Sequence, residues 1–167
     1  MENIQMMIPK DRLLLSYLRA DSRLPLTRLS RLTHIPVTSI FERLRRYRGK
    51  VVRKFTALLD FQQLGLPIWA SVNIKVDRKD REAVKEYLFK RPEVNSLYKI
   101  NNGYDFLFDA VFPSVRDAEE FLEALELKHR VLEIHTSFII DELKREAFLA
   151  SHAVALDAPN SVAAKPS

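Results

Sequence analysis

The chain has 167 residues, is 47% hydrophobic and 29% charged, has no cysteine, and carries a formal net charge of +5. This composition supports one ordinary domain or two small ones, and it excludes disulfides, thiolate catalysis and cysteine-ligated zinc. No apolar run approaches the roughly 20 residues that span a bilayer.

The charge is segregated. Residues 1–56 hold 13 basic and 4 acidic residues, a balance of +9, whereas the remainder holds 14 and 18, a balance of −4. A basic third ahead of an acidic remainder predicts a polyanion-binding module joined to a second unit. The opening "MENIQMMIPKDRLLLSYL" meets Lys10, Asp11 and Arg12 before an apolar stretch develops, so no signal peptide and a cytoplasmic location are expected.

In chain order, "KDRLLLSYLRA" (residues 10–20) places Leu14, Tyr17 and Leu18 on one stripe with Leu13 beside it, the pattern of an amphipathic helix. "DSRLP" breaks it. Thr27 is the expected cap of a short second helix over about residues 27–33, with Leu29 and Leu32 inward. "HIP" breaks again, and a third helix is predicted from about Val37 to Tyr47. After Gly49, "KVVRKFTALLDF" reads as a strand or wing, and "QQLGLP" as a break. The stretch "PIWASVNIKV" alternates with Ile68, Ala70, Val72, Ile74 and Val76 on one face. A helix "DREAVKEYLFKR", strands "VNSLYKI" and "YDFLFDAVF" around "NNG", a helix "SVRDAEEFLEALELK" capped by Ser114, and a strand "VLEIHTSFII" follow. The fold expected is α+β: an N-terminal winged helix-turn-helix of three helices, then a ferredoxin-like β-α-β-β-α-β domain. The expected boundaries are 1–56 for the first domain, 57–66 for a linking strand or hinge, 67–150 for the second domain, and 151–167 for a disordered tail.

The third helix is the most basic element. "VTSIFERLRRYRGKVVRK" (37–54) has five arginines and two lysines against Glu42 alone. Burying Ile40, Phe41 and Leu44 leaves Thr38, Ser39, Glu42, Arg43, Arg45 and Arg46 outward, at spacings suited to the major groove. A solvated face with no partner is the bland alternative. The preceding short helix, the tight turn and the basic run of Lys50, Arg53 and Lys54 together favour double-stranded DNA. The expected DNA-facing set is Thr27, Arg28, Val37, Thr38, Ser39, Glu42, Arg43, Arg45, Arg46, Arg53 and Lys54. Apolar residues on both faces of 104–112 (Phe106, Phe108, Ala110 and Phe112 on one, Leu107 and Val111 on the other) predict that a second copy covers the sheet as a homodimer.

Over residues 10–146 the chain resembles the Lrp/AsnC transcription regulators. The resemblance is carried by "DSRLPLTRLSRLTHIPVTSIFERLRR", "FTALLDFQQLG", "NNGYDFLFDAVFPS" and "HTSFIIDELK", in that order. In that family these are the helix-turn-helix, a linking strand, the β-hairpin of the effector-sensing domain and its last strand. His34 departs from the family's turn glycine, Pro36 from its capping serine, and Asn102–Gly103 from its usual hairpin. The resemblance implies promoter binding by a dimer or an assembly of dimers such as an octamer. It also implies an amino-acid effector held by Asn101, Asn102, Gly103, Tyr104, Asp105, Thr136 and Ser137. Asp105 would meet an ammonium and amides near Gly103 a carboxylate. The bland alternative is that "NNG" only reverses the chain, as Asn-Gly does in a type I′ turn.

An enzyme is the contrasting class, because siroheme decarboxylases share this organisation. Their hairpin is rich in His and Arg, whereas "LYKINNGYDFLF" has neither. His34, His129, His135 and His152 form no metal-ligand spacing, and no catalytic residues, cofactor or metal are expected. RNA stacking on "YDFLF" is a third reading, opposed by the acidity of that half.

Overall fold

The computed structural model describes residues 9–150 and divides them into two compact units. One holds residues 58–142, and the other holds residues 9–57 with 143–150. The tail expected to be disordered lies outside the described residues.

The first unit is three helices: α1 (Pro9–Ala20), α2 (Leu26–Thr33) and α3 (Val37–Tyr47). Leu14, Leu15, Tyr17 and Leu18 of α1 meet Leu29 of α2, Ile35 of the turn, and Ile40 and Tyr47 of α3 in one core. Thr27 does not cap α2. The helix starts one residue earlier, with Pro25 at the N-cap, which leaves Thr27 exposed in its first turn. Residues 143–150 join this unit, not the second domain to which they were assigned. Arg19 of α1 binds the Glu146 carboxylate at 2.7 Å and the Phe148 carbonyl at 3.2 Å.

His34 ends α2 with φ 54°, in the left-handed region. A β-carbon there costs roughly 1–2 kcal/mol, against which glycine loses more entropy on folding. His34→Gly should therefore leave the unit as stable or up to ~1 kcal/mol more stable in urea titration. A loss of stability would mean that the imidazole has a compensating partner.

The strand or wing expected after α3 forms only in part. Residues 48–52 make a tight turn closed by one bridge, Arg48 to Val52, and the segment from Arg53 to Asp60 takes no strand pairing among the described residues. Gly49 (φ 75°) lets its N–H reach the Val52 carbonyl at 2.9 Å.

The second unit has β1 (Ile68–Val76), α4 (Arg81–Lys90), β2 (Val94–Lys99), β3 (Phe106–Phe112), α5 (Val115–Lys128) and β4 (Val131–Phe138). The sheet order is β2-β3-β1-β4, antiparallel throughout, which is the ferredoxin-like arrangement. Alternation decides the faces. Ala70, Val72, Ile74 and Val76 lie beside Phe106, Phe108, Ala110 and Phe112 under Val84 and Leu88 of α4 and Phe121 and Leu125 of α5. Ser114 caps α5, its hydroxyl accepting from the Asp117 amide at 3.3 Å.

The opposite face is more polar than the aromatic strand suggested. Register places Ser71, Asn73, Asp109, Ser96 and His135 there, around Leu107 and Tyr98. Trp69 and Val111 sit side by side at one end, where Phe61 meets Trp69 edge-on at 5.5 Å.

Candidate nucleic-acid interface and effector site

Helix α3 turns its core side through Ile40, Leu44 and Tyr47, with Ser39 and Arg43 half-buried on that side. Two expectations are thereby reversed. Phe41, expected inward, is 55% exposed. Arg43, expected to face DNA, pairs with Asp11 of α1, whose side chain is 5% exposed. Tyr47 is buried with them, and its phenol is pushed up by desolvation first and by hydrogen bonding to Asp11 second. Arg43 thus links α1 to α3 across the core and is not a free cation.

The outward face is Val37, Thr38, Phe41, Glu42, Arg45 and Arg46, all exposed. Glu42 and Arg45 pair at 3.1 Å with both side chains mostly in solvent, a contact of little worth that a phosphate or base can displace. Pro36 at the N-cap gives α3 no side-chain cap, so the first-turn amides stay open toward an anion. Exposed Arg48, Lys50, Arg53 and Lys54 follow on the turn and the irregular segment, and exposed Thr27 and Arg28 lie in the first turn of α2.

Phe41 is the functional candidate that sequence reasoning missed. Its position one turn after Val37 and one before Arg45 was the available signal. An apolar ring in a basic face suits a thymine methyl.

In the second unit, "NNG" is not a two-residue turn. Strand pairing stops at Lys99–Phe106, the Ile100 amide bonds to the Asp105 carbonyl at 3.1 Å, and only Gly103 (φ 96°) has positive φ in the loop between. A type I′ turn needs positive φ at both central residues. Asp105 is structural as it stands. Its carboxylate takes the Val76 amide at 2.9 Å and Arg81 at 2.7 Å. Tyr104 donates to Glu133 at 2.6 Å, and that bond is the first cause of its raised phenol pKa. Asn101, Asn102 and Gly103 are exposed.

Thr136 and Ser137 do not join this group within one chain. They pair with Val72 and Ser71, two and three register steps from Ile74, the residue whose carbonyl takes the Asp105 amide. They also point to opposite faces of β4.

The fold recurs in solved structures. A Neisseria meningitidis transcriptional regulator crystallised as an L-Met complex covers 83% of this chain and 93% of its own, at TM-score 0.77 and 24% identity. Bacillus subtilis LrpC covers 83% and 97%, at TM-score 0.75 and 24% identity. Among curated proteins, the HTH-type transcriptional regulator FL11 of Pyrococcus furiosus is 28% identical over 131 residues, 78% of this chain and 87% of its own. Residues 70–148 match the family model of the Lrp/AsnC ligand binding domain. Residues 70–148 thus form an Lrp/AsnC ligand binding domain, and the chain as a whole is similar to HTH-type transcription regulators.

Within the Lrp/AsnC architecture, the matched domain contains both the 100–105 loop and β4. In this domain, Asp105→Ala should cost roughly 1–3 kcal/mol, because the Val76 amide loses its acceptor and Arg81 its partner. Thermal melting of the full chain checks this. An unchanged melt would show that the loop does not depend on the carboxylate. His135, the histidine nearest the decarboxylase reading, stands exposed opposite Asn73 on β4.

Proposed function

We propose that the protein regulates transcription as a dimer or larger assembly that reads a two-fold promoter site with α3, and that an amino acid or similar effector alters occupancy. The observation that carries this reading is the outward face of α3. Thr38, Phe41, Glu42, Arg45 and Arg46 are exposed together, and a basic turn continues them. Most weight falls on Arg45 and Arg46 together with the uncapped helix N-terminus, since a single exposed phenylalanine such as Phe41 is ordinary on a protein surface. The expected base-edge contacts come from Thr38, Phe41 and Arg45, with Val37 and Ser39 at the margin. Phosphate contacts come from Thr27, Arg28, Arg46, Arg53 and Lys54.

The effector reading is supported by the L-Met complex of the Neisseria relative and by the loop of Asn101, Asn102, Gly103, Tyr104 and Asp105. Because Thr136 and Ser137 lie apart from that loop within one chain, a site using all seven residues needs a second copy. Relatives named as regulators support a regulator over an enzyme. Among the described residues no helix is long and apolar enough to cross a membrane, in keeping with a cytoplasmic protein. Selection of bound DNA from a random pool, with and without mixed amino acids, tests the whole reading. Recovery of no enriched sequence under either condition defeats it.

Assembly is testable separately. Tyr98 and Leu107 on the uncovered sheet face and Phe138, Ile139 and Ile140 beside edge strand β4 are apolar and partly or largely exposed. Sedimentation of the full chain at micromolar concentration should give a dimer or larger species, and Leu107→Glu or Ile140→Glu should lower that mass. A monomeric parent would remove the symmetry argument for a palindromic site.

A further inference from the structure

A cavity of about 570 Å³ runs between α4 and the free sheet edge at β2. Its floor is apolar, built from Leu88, Val94, Leu97 and Phe106, with largely exposed Phe89 on the rim. Volumes of roughly 300–1,000 Å³ over apolar walls are typical of small-molecule sites. The rest of the rim is charged, with Arg81, Lys85 and Lys99 against Glu82 and Asp105.

The pairing of these charges decides what can bind. Asp105 is neutralised by Arg81 and also takes the Val76 amide, and Glu82 is held by Lys85 at 2.7 Å. Asp105 is therefore occupied, whereas the Glu82–Lys85 pair stands largely in solvent and is easily displaced. Among the described residues Lys99 forms no ion pair, and Nε of Arg81 is a buried N–H without an acceptor. An unmatched positive charge over an apolar floor fits a carboxylate on an apolar tail. A zwitterionic amino acid fits less well, because Asp105 is already bound and Glu82, 80% exposed, offers its ammonium only a solvent-screened partner. Addition of a peptide strand to the β2 edge is opposed by the irregular register between Val94 and Ser96, which breaks the ladder.

The geometry points to a second small-molecule site in this groove, beside the 101–105 loop and sharing only Asp105 with it, for a monocarboxylate with a branched or linear apolar tail and no ammonium group.

The probes are 4-methylpentanoate (leucine without its ammonium), L-leucine and 4-methyl-1-pentanol, titrated into the full chain. The readout is the methyl resonances of Leu88, Val94 and Leu97, which remain observable in a large assembly. The acid should shift these methyls saturably at millimolar concentration or below. Leucine and the alcohol should bind there at least about tenfold more weakly, the effect of losing one charge-assisted contact. Lys99 is exposed, so Lys99→Glu should fold normally and lose about tenfold or more, whereas Lys99→Arg should retain binding. Three results overturn the site: no saturable shift, leucine matching the acid at these methyls, or Lys99→Glu binding as the parent does. Operator binding measured on the same variants is independent of the outcome.

Discussion

Replacing Arg43 with alanine is expected to destabilise the helix-turn-helix itself, not merely to weaken its hold on DNA. Asp11 is 4% exposed in the first turn of α1, and Arg43 is the cation that pairs with it. Removing the cation leaves Asp11 a buried charge without a counter-ion, held only by the Tyr47 phenol, and breaking a buried pair costs roughly 3–5 kcal/mol. The lower end applies here, because the Arg43 side chain is still 27% exposed. Against a total stability of about 5–15 kcal/mol, that is a large share. Asp11→Ala should cost less, since the arginine it frees can reach solvent. The double change Asp11→Leu with Arg43→Met should recover most of the loss, as apolar replacements of whole buried pairs do. Urea unfolding followed by helical circular dichroism checks all three variants.

Tyr47 adds a pH signature to the same cluster. Burial, and then hydrogen bonding to Asp11, favour the neutral phenol in the folded state. Its folded pKa therefore lies above the unfolded one. The contribution is fully present below about pH 10, the ordinary phenol value, and is lost as pH rises beyond it. Tyr47→Phe should flatten that alkaline loss. An Arg43→Ala protein with an unchanged urea midpoint would sink the structural role assigned to the pair.

This cluster also shows where the sequence was legible and where it was not. Helix spacing located α3 correctly, but its face was chosen by counting apolar residues inward and charged residues outward. Phe41 and Arg43 each break that rule, because they flank the buried stripe on opposite sides, about a quarter turn from its centre. The partner that turns Arg43 inward is 32 residues away, beyond the reach of any local pattern. Ile68 to Val76 and Phe106 to Phe112 were easier, because period-two alternation coincides with burial under α4 and α5.

The segment from Arg53 to Asp60 has strand-like composition but meets no partner strand among the described residues, and a strand without a ladder does not form. "NNG" carries the letters of a tight turn. Asp105 overrides them, because its side chain is bound to Val76 and Arg81 and its amide to Ile74, which holds the loop open to six residues, 100–105.

On an operator recovered by selection, Arg45→Ala is expected to cost roughly 1–3 kcal/mol and to relax preference at one base pair, as loss of a base-reading arginine does. Arg45 is the right cation for this role because it shares the outward stripe with Thr38 and Phe41, and its pairing with Glu42 is exposed and easily surrendered. Phe41→Ala should cost less and act only where a thymine methyl lies beneath the ring.

Arg46 and Arg53 should behave differently. Each is exposed at the edge of that stripe or beyond it, where the sugar-phosphate backbone would lie. Changing either to alanine should weaken all sequences alike. Each should also reduce the slope of log affinity against log salt by about 0.9, and the two together by about twice that. Measuring affinity at several salt concentrations, on the operator and on a scrambled duplex, separates the two behaviours in one experiment. If Arg45→Ala lowers affinity equally for both duplexes while Arg46→Ala alters preference between bases, the stripe has been assigned to the wrong side of α3. If neither variant differs from the parent on either duplex, α3 is not the element that enters the groove.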